Sequence, residues 1–350
     1  MAKGMQKLFS LLAGLAPWLI VAGLAYAAAF IKPETELRPL PQPLLEARDV
    51  FFDVVATPDD ILVYVGRNGT FLTRNADREW QRGQFAEEHN LQAIAQHTNG
   101  TIAAVGNQGA FYVYDGELSL SALAEPNNWQ FQALPVSEFA GKLLGITASA
   151  DGFWVVGEMG TIFHLQQSAK GQPFNVQAKE LEQDVNLSDV AVAANGSIWI
   201  AGEFGTLLSS TDNGANWQSQ ELTDVTLQSI AIDAEHMLVV GNSGYMAASY
   251  DQGASWEQLD SPTDAHLYSA ALSEQGWLVA GANGTLLWRN DNNGWQALEG
   301  NNSTFNFVSN SAQTTRQTFV FTGSHLTSLD FSRTPLQFEA VTPTAKAGAL

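Results

Sequence analysis

The amino-acid sequence predicts an all-β fold, a seven-bladed β-propeller of four-stranded antiparallel blades preceded by one N-terminal helix. Two observations lead to this prediction. Small apolar residues followed by Gly-x-x-Gly recur along the chain, with the first glycines 40, 51, 45, 39, 40 and 42 residues apart. Around each copy lie short apolar segments separated by polar turns, without helical periodicity. Four short strands in a repeat of about forty residues are typical of a propeller blade.

The first element is an uncharged run from Leu8 to Ile31 that follows Lys3 and Lys7. As a helix it would be about 36 Å long, enough to span a hydrocarbon core of about 30 Å. Because positive residues stay on the cytoplasmic side, the rest of the chain would be exported. Ala25-Tyr26-Ala27 also fits a signal-peptide cleavage site. We therefore expect residues 1–31 to be either a single-pass inner-membrane signal-anchor or a cleaved signal peptide, with the propeller in the periplasm.

The second element is a proline-rich linker at residues 32–44. Four prolines fall within residues 32–43, a composition that favours an extended polyproline II spacer. The propeller is predicted at residues 45–341, and residues 342–350 form a C-terminal tail.

The Gly-x-x-Gly motif occurs in seven copies, the last one decayed, and marks the turn between the second and third strands of each blade. The first glycines of the copies are Gly66, Gly106, Gly157, Gly202, Gly241, Gly281 and Gly323. Glycine permits the positive φ of such a chain reversal. The fourth strand opens with an aromatic residue that we expect to pack between sheets, namely Trp80, Trp129, Phe174, Trp217, Trp256 and Trp295. The first strand of the last copy is expected at residues 305–309.

The turn between the third and fourth strands carries the most specific motif, Ser-x-Asp-x-Gly-x-x-Trp. It occurs twice in full, and its residues are Ser210, Asp212, Gly214 and Trp217, then Ser249, Asp251, Gly253 and Trp256. In such a turn the Asp side chain accepts hydrogen bonds from nearby backbone amides, and the glycine takes the special φ. We therefore interpret these residues as structural.

This motif is the Asp box of BNR repeats, and its combination with the repeated glycine turns resembles the photosystem II stability and assembly factor family of BNR propellers. The resemblance extends over residues 48–341 and implies a non-enzymatic propeller that binds an integral-membrane partner. Within this family, the chain resembles a bacterial branch associated with RND/MMPL-type transporters. The sequence departs from the photosynthetic branch because it lacks a pronounced arginine patch. Only the first blade has an arginine cluster, formed by Arg67, Arg74, Arg78 and Arg82.

Composition excludes several classes of function. The chain has 36 acidic and 16 basic residues, a formal net charge of −20, which opposes binding to nucleic acid. Because it has no cysteine, it can form no disulfide, cysteine-ligated zinc site or catalytic thiol.

The sequence also argues against catalysis. Sialidases share the Asp box but use an arginine triad, a tyrosine nucleophile and carboxylates, and arginine is absent between Gly83 and Trp288. The six histidines show no short metal-ligand spacing. We predict no enzyme, no catalytic residues, no metal and no cofactor. An exported glycan-binding or glycan-cleaving propeller is the alternative, and a calcium-stabilised propeller is a third interpretation.

Charge placement predicts a docking surface. In a propeller, the loops between blades share one face with the turns between second and third strands, and here these segments are rich in carboxylates. An acidic face speeds encounter with a basic partner, and apolar residues within it suit a protein contact. The predicted partner-binding residues are Glu158, Met159, Glu182, Asp184, Glu203, Phe204, Asp224 and Asp264. We expect a non-catalytic accessory or assembly subunit of an inner-membrane complex, most specifically of an RND/MMPL-like transporter.

Overall fold

The computed structural model describes residues 14–26, 43–139, 141–179, 181, 183–290, 294–298, 307–314, 317–333, 336, 338–341 and 343. The chain divides into two units, Met1–Pro43 and Leu44–Leu350. In the first unit, residues 14–26 form a helix, α1. Over the ranges just given, no helix has both the length and the apolar character needed to cross a membrane. The other residues of the predicted N-terminal helix, and residues 32–42 of the linker, lie outside the described residues.

The second unit consists of strands apart from a short helix, α2 (Leu120–Ala124), and single turns of 3-10 helix. Its strands are β1 (Phe51–Ala56), β2 (Leu62–Gly66), β3 (Thr70–Arg74), β4 (Trp80–Gln84), β5 (Leu91–Gln96), β6 (Ile102–Gly106), β7 (Ala110–Tyr114), β8 (Gln130–Ala133), β9 (Leu143–Ser149), β10 (Gly152–Gly157), β11 (Ile162–Gln166), β12 (Asn175–Lys179), β13 (Leu187–Val192), β14 (Ile198–Gly202), β15 (Thr206–Ser210), β16 (Gln218–Glu221), β17 (Leu227–Ile232), β18 (Met237–Gly241), β19 (Met246–Ser249), β20 (Glu257–Gln258), β21 (Leu267–Ser273), β22 (Gly276–Gly281), β23 (Leu286–Arg289), β24 (Gln296–Ala297), β25 (Val308–Gln313), β26 (Thr318–Gly323), β27 (Thr327–Asp330) and β28 (Phe338–Ala340).

The strands pair antiparallel in chain order. Strands β5–β8, β9–β12, β13–β16, β17–β20 and β21–β24 form separate four-stranded sheets. Strands β1–β4 and β25–β28 share one eight-stranded sheet, in which Phe51 pairs with Gly323 and β28 pairs with β27. The first strand of each sheet lies beside the first strand of the next, and β25 lies beside β1. This arrangement confirms an all-β propeller of four-stranded antiparallel sheets.

The core lies between successive sheets, and the second strands are its most buried part: five are buried along their whole length, as in Ile102–Gly106 and Met237–Gly241, and β22 and β26 are buried except at their first residue. Aromatic side chains join one sheet to the next. The ring of Trp217 meets that of Trp154 edge-on at 6.1 Å, and Trp256 meets Trp199 at 6.2 Å. Aromatic pairs in this geometry add to the stability gained by burial. For these two tryptophans, the predicted packing between sheets is confirmed.

The helix α2 occupies the connection between β7 and β8. Ser119 caps it by accepting a hydrogen bond from the amide of Ala122, and the indole Nε1 of Trp129 donates to the carbonyl of Leu123 at 2.9 Å. This insertion explains why Gly106 and Gly157 are 51 residues apart. It occupies the connection between third and fourth strands, the position of the Asp box in β13–β16 and β17–β20.

The last copy of the repeat begins later in the chain than its apolar pattern predicts. Strand β25 starts at Val308, which pairs with Gly323 as Leu267 pairs with Gly281. Residues 299–306 lie outside the described residues. Strand pairing therefore moves the first strand of this copy three residues beyond the expected start at residue 305.

Candidate docking face

The turns between second and third strands and the loops between successive sheets lie together on one face, here called the turn face. In five of these turns, the amide of the second motif glycine donates to a carbonyl of the following loop. The pairs are Gly69–His89, Gly109–Gly141, Gly160–Val185, Gly205–Val225 and Gly244–Ala265, with N···O distances from 2.5 to 3.1 Å. Each loop is thereby fastened to the turn of the preceding sheet.

Six of the seven turns have two consecutive residues with left-handed backbone, the geometry of a type I′ turn. The second is the motif glycine. The first is not a glycine and has a φ between 52° and 59°; these residues are Asn68, Gln108, Met159, Phe204, Ser243 and Asn283. Asparagine adopts this conformation readily, whereas a bulky side chain is an outlier there.

Three large apolar side chains on the turn face are exposed, and we call them the apolar trio. Met159 is 46% exposed and Phe204 is 65% exposed, while Phe139, in the loop between β8 and β9, is 87% exposed. The backbone amide of Met159 donates to Oδ1 of Asn186 at 3.0 Å, which fixes its turn to the next loop. Since these side chains contribute little to the core, packing does not account for their residue types.

Glu158 and Glu203 also brace the turn face. Glu158 accepts a hydrogen bond from the amide of Lys142 at 3.1 Å, and its carboxylate lies 3.4 Å from Nζ of the same lysine. Glu203 accepts from the amide of Asn186 at 3.1 Å and from its Nδ2 at 3.0 Å. Both carboxylates therefore hold a loop in place as well as adding negative charge.

Asp184, Asp224 and Asp264 have a different environment. All three are exposed in loops that the glycine amides fasten, and none forms an ion pair within the described part of the chain. Glu182 lies outside the described residues. The described carboxylates of this face are Glu87, Glu88, Glu138, Glu158, Asp184, Glu203, Asp224, Asp260 and Asp264, and the basic residues of the same segments are Arg67 and Lys142.

An open groove of about 690 Å³ lies on the turn face beside the β18–β19 turn. Hydroxyl groups and two carboxylates line it, those of Asp260 and Asp264, together with Ser243, Ser261 and Tyr245. Asp260 belongs to the same acidic loop as Asp264, although the sequence analysis did not include it.

The Asp boxes lie at the opposite ends of the sheets, because third-to-fourth-strand turns alternate with second-to-third-strand turns in an antiparallel sheet. Oδ1 of Asp212 accepts from the hydroxyl of Ser210 at 2.8 Å and from the amide of Asn216 at 2.9 Å. Hydrogen bonds from Asn216, then from Ser210, lower the pKa of Asp212 to about 2. Asp251 makes the corresponding bonds with Ser249 and with Ser255.

The Asp-box glycines have a second reason for lacking a side chain. A Cβ on Gly253 would lie 2.1 Å from Cη2 of Trp199, and one on Gly214 would lie 2.6 Å from Cη2 of Trp154. Both tryptophans belong to the preceding sheet. These glycines therefore combine a left-handed φ with direct contact between sheets.

Two aspartates on first strands, the buried Asp53 and the half-buried Asp189, link neighbouring sheets and were not predicted from the sequence. Asp53 accepts from the amides of Val54 and Ile94, both at 2.7 Å. Burial raises the pKa of Asp53 to about 8, and it raises that of Asp189 to about 6. Asp189 similarly reaches Ile230 of the next sheet, at 3.0 Å. The sequence does contain a signal for these two residues, because each is an aspartate at the third position of a mainly apolar first strand.

The described residues offer no group of three His, Asp or Glu side chains able to hold a metal ion. Arginines do converge at one place, a cleft of about 420 Å³ lined by Arg74, Arg78 and Arg333. There Arg333 pairs with Asp330 at 3.5 Å and with Glu339 at 2.7 Å. Within this cleft, the charge of Arg333 is therefore balanced by two carboxylates of the chain.

Fold and surface together define a β-propeller that presents an acidic turn face with exposed apolar side chains. A family model described as "Photosynthesis system II assembly factor YCF48" matches residues 54–230, half of the chain. The chain belongs to this family.

Several relatives have the name photosystem II assembly lipoprotein Ycf48. The relative from Trichormus variabilis is 22% identical over 183 residues, and that from Synechococcus sp. is 25% identical over 180 residues. The chain spans about half the length of these curated relatives, and the alignments cover 50% of each partner. They are called lipoproteins, whereas this sequence has no cysteine to which a thiol-linked lipid could be attached.

Solved structures support the fold alone. The WD40 β-propeller domain of Doa1 superposes with a TM-score of 0.63 at 12% identity, covering 80% of this chain and 92% of that domain. The WD40 repeats of RRP9 give a TM-score of 0.61 at 12% identity, covering 81% and 90%.

Proposed function

We propose that this protein is a non-catalytic, exported accessory or assembly factor that docks on an integral-membrane protein complex through its turn face. The observation that carries the proposal is the combination, on one face, of the exposed apolar trio with carboxylates such as Asp184 and Asp224 that have no described ion-pair partner. Membership of a family named for an assembly factor supports the same role.

The proposal includes a closed ring of seven blades, anchored by the N-terminal helix. The neighbouring positions of β25 and β1 support the ring, as does the pairing of Phe51 with Gly323. The apolar run from Leu8 to Ile31 supports the anchor, since it offers a membrane attachment that needs no cysteine. Such a tether would keep the propeller in the periplasm beside its membrane partner.

We further propose that the partner is an RND/MMPL-like transporter. The relatives are named for photosystem II, whereas the sequence resemblance to a transporter-associated branch favours an RND/MMPL-like transporter. The acidic face favours a partner with basic exported loops, because complementary charge speeds association and opposes wrong pairings. Nucleic acid and anionic lipid surfaces would instead need a basic face, because their negative charges repel carboxylates.

Affinity purification of the full chain from native membranes in mild detergent, with mass spectrometry of the recovered proteins, tests this function. We expect one integral-membrane complex to be enriched over a control with an unrelated periplasmic bait. Replacing Asp184, Asp224 and Asp264 by Asn should lower the recovery and weaken its salt dependence. If no membrane protein is enriched, or if turnover of glycosides is found instead, the proposed function is wrong.

A further inference from the structure

The apolar trio marks one sector of the turn face. The acidic loops extend from the β1–β4 strands to the β21–β24 sheet, since Glu87, Asp184, Asp224 and Asp264 all belong to them. Among the described turns and loops of this face, large exposed apolar residues occur only next to β9–β12 and β13–β16. The charge is therefore spread widely, whereas the apolar contact surface is local.

The backbone at Met159 and Phe204 is costly for these residue types. Both occupy the first left-handed position of their turns, with φ of 52° and 53°. The corresponding turns of the β1–β4 strands and the β21–β24 sheet have Asn68 and Asn283 there, a residue that tolerates this conformation. A left-handed bulky residue persists where surrounding structure enforces it, and such strain concentrates at binding sites.

We propose that Met159, Phe204 and Phe139 form the contact centre of the turn face and receive an apolar segment flanked by basic residues on a partner protein. This inference rests on the proposed docking function and adds the location and chemistry of the contact. Aromatic and methionine side chains surrounded by polar residues are typical of the energetic centre of an interface.

Charge complementarity favours an apolar segment flanked by basic residues over other binding partners. Asp184 lies in the loop fastened to the Met159 turn, Asp224 lies in the loop fastened to the Phe204 turn, and Glu138 precedes Phe139. A second copy of the chain would bring the same carboxylates face to face, and an anionic membrane surface would repel them. A basic segment with an apolar centre satisfies both the carboxylates and the exposed apolar side chains.

Replacement by asparagine separates binding from folding. Met159→Asn and Phe204→Asn install the residue that the equivalent turns already use, so the melting temperature should stay constant or rise by about 1–3 °C per variant. Recovery of the membrane partner should fall about tenfold for each variant, as expected for a central interface residue. Gln108→Asn is the matched control, because it makes the same change in another turn of this face, at a residue that is not apolar, and should leave recovery unchanged.

Competition by synthetic peptides tests the chemistry of the partner. A labelled peptide with a leucine and phenylalanine centre flanked by lysines should displace the membrane partner from the full chain. Versions with glutamate in place of lysine, or serine in place of the apolar residues, should not. Equal recovery with the Asn variants and the wild type, or displacement by the glutamate peptide, would overturn this inference while leaving the proposed function intact. Absence of partner recovery with the wild type would instead refute the proposed function.

Discussion

A buried ion pair fixes the segment that leads into β1, and its removal should be costly. Arg82 of β4 donates from Nη1 to the carbonyl of Leu44 at 3.1 Å and to Oδ2 of Asp49 at 2.5 Å, and from Nη2 to Oδ1 of Asp49 at 3.1 Å. The two side chains are only 8% and 5% exposed. Removing one member leaves the other charge buried without its partner, at a cost of about 3–5 kcal/mol. We therefore expect Arg82→Met and Asp49→Asn each to lower the free energy of unfolding by about this amount.

Urea unfolding followed by tryptophan fluorescence measures this effect, and a double-mutant cycle isolates the pair. The double variant should cost less than the sum of the single variants, because it leaves no unpaired charge. Arg48→Met is the matched control, since Arg48 pairs with Glu46 at 2.8 Å but is 77% exposed, so its loss should cost below about 1 kcal/mol. A cost for Arg82→Met no larger than that of the control, or strictly additive single effects, would refute the reasoning.

Two further predictions concern stability. Because burial raises the folded-state pKa of Asp53 from its ordinary value of 3.8 to about 8, the native state keeps, between those pH values, a proton that the unfolded chain has lost. The free energy of unfolding should therefore fall as pH rises through this window, and Asp53→Asn should flatten the profile in urea titrations; an unchanged profile would contradict this assignment. Gly253→Ala should cost more than about 1 kcal/mol, because its Cβ meets Trp199 at a φ of +85°, whereas Gly294→Ala, with open space around it, should stay within about 0.5 kcal/mol in the same assay.

Much of the fold was predictable because its signals are local and repeated. Paired glycine turns at a regular spacing, with apolar segments around them, reveal four-stranded units before any long-range contact is known. Features outside the repeat were not predictable in this way. The helix α2 arises from an insertion between β7 and β8, and the register of β25 depends on pairing with β26, not on its own apolar pattern.

The turn face was only partly predictable from the sequence. Loop position within the repeat placed Asp184 and Asp224 on one face, but it could not reveal that Glu203 is bonded to Asn186. The left-handed backbone of Phe204 was not predicted either, because the motif specifies the glycine at the second left-handed position and leaves the residue before it variable. Both features depend on contacts between one turn and the loop of the next sheet, which a single repeat does not contain.

This difference among the carboxylates determines how the acidic face can be tested. Charge reversal at Glu158 or Glu203 would break hydrogen bonds that hold Lys142 and Asn186, so loss of binding could follow from a displaced loop. Exposed carboxylates without such bonds can be neutralised with little effect on the fold, because surface substitutions of this kind usually change stability by less than about 0.5 kcal/mol. Variants of Asp184, Asp224 and Asp264 therefore test whether the charge contributes to binding. Asparagine variants of Met159 and Phe204 test the apolar contact, because they relieve backbone strain while removing the apolar side chain.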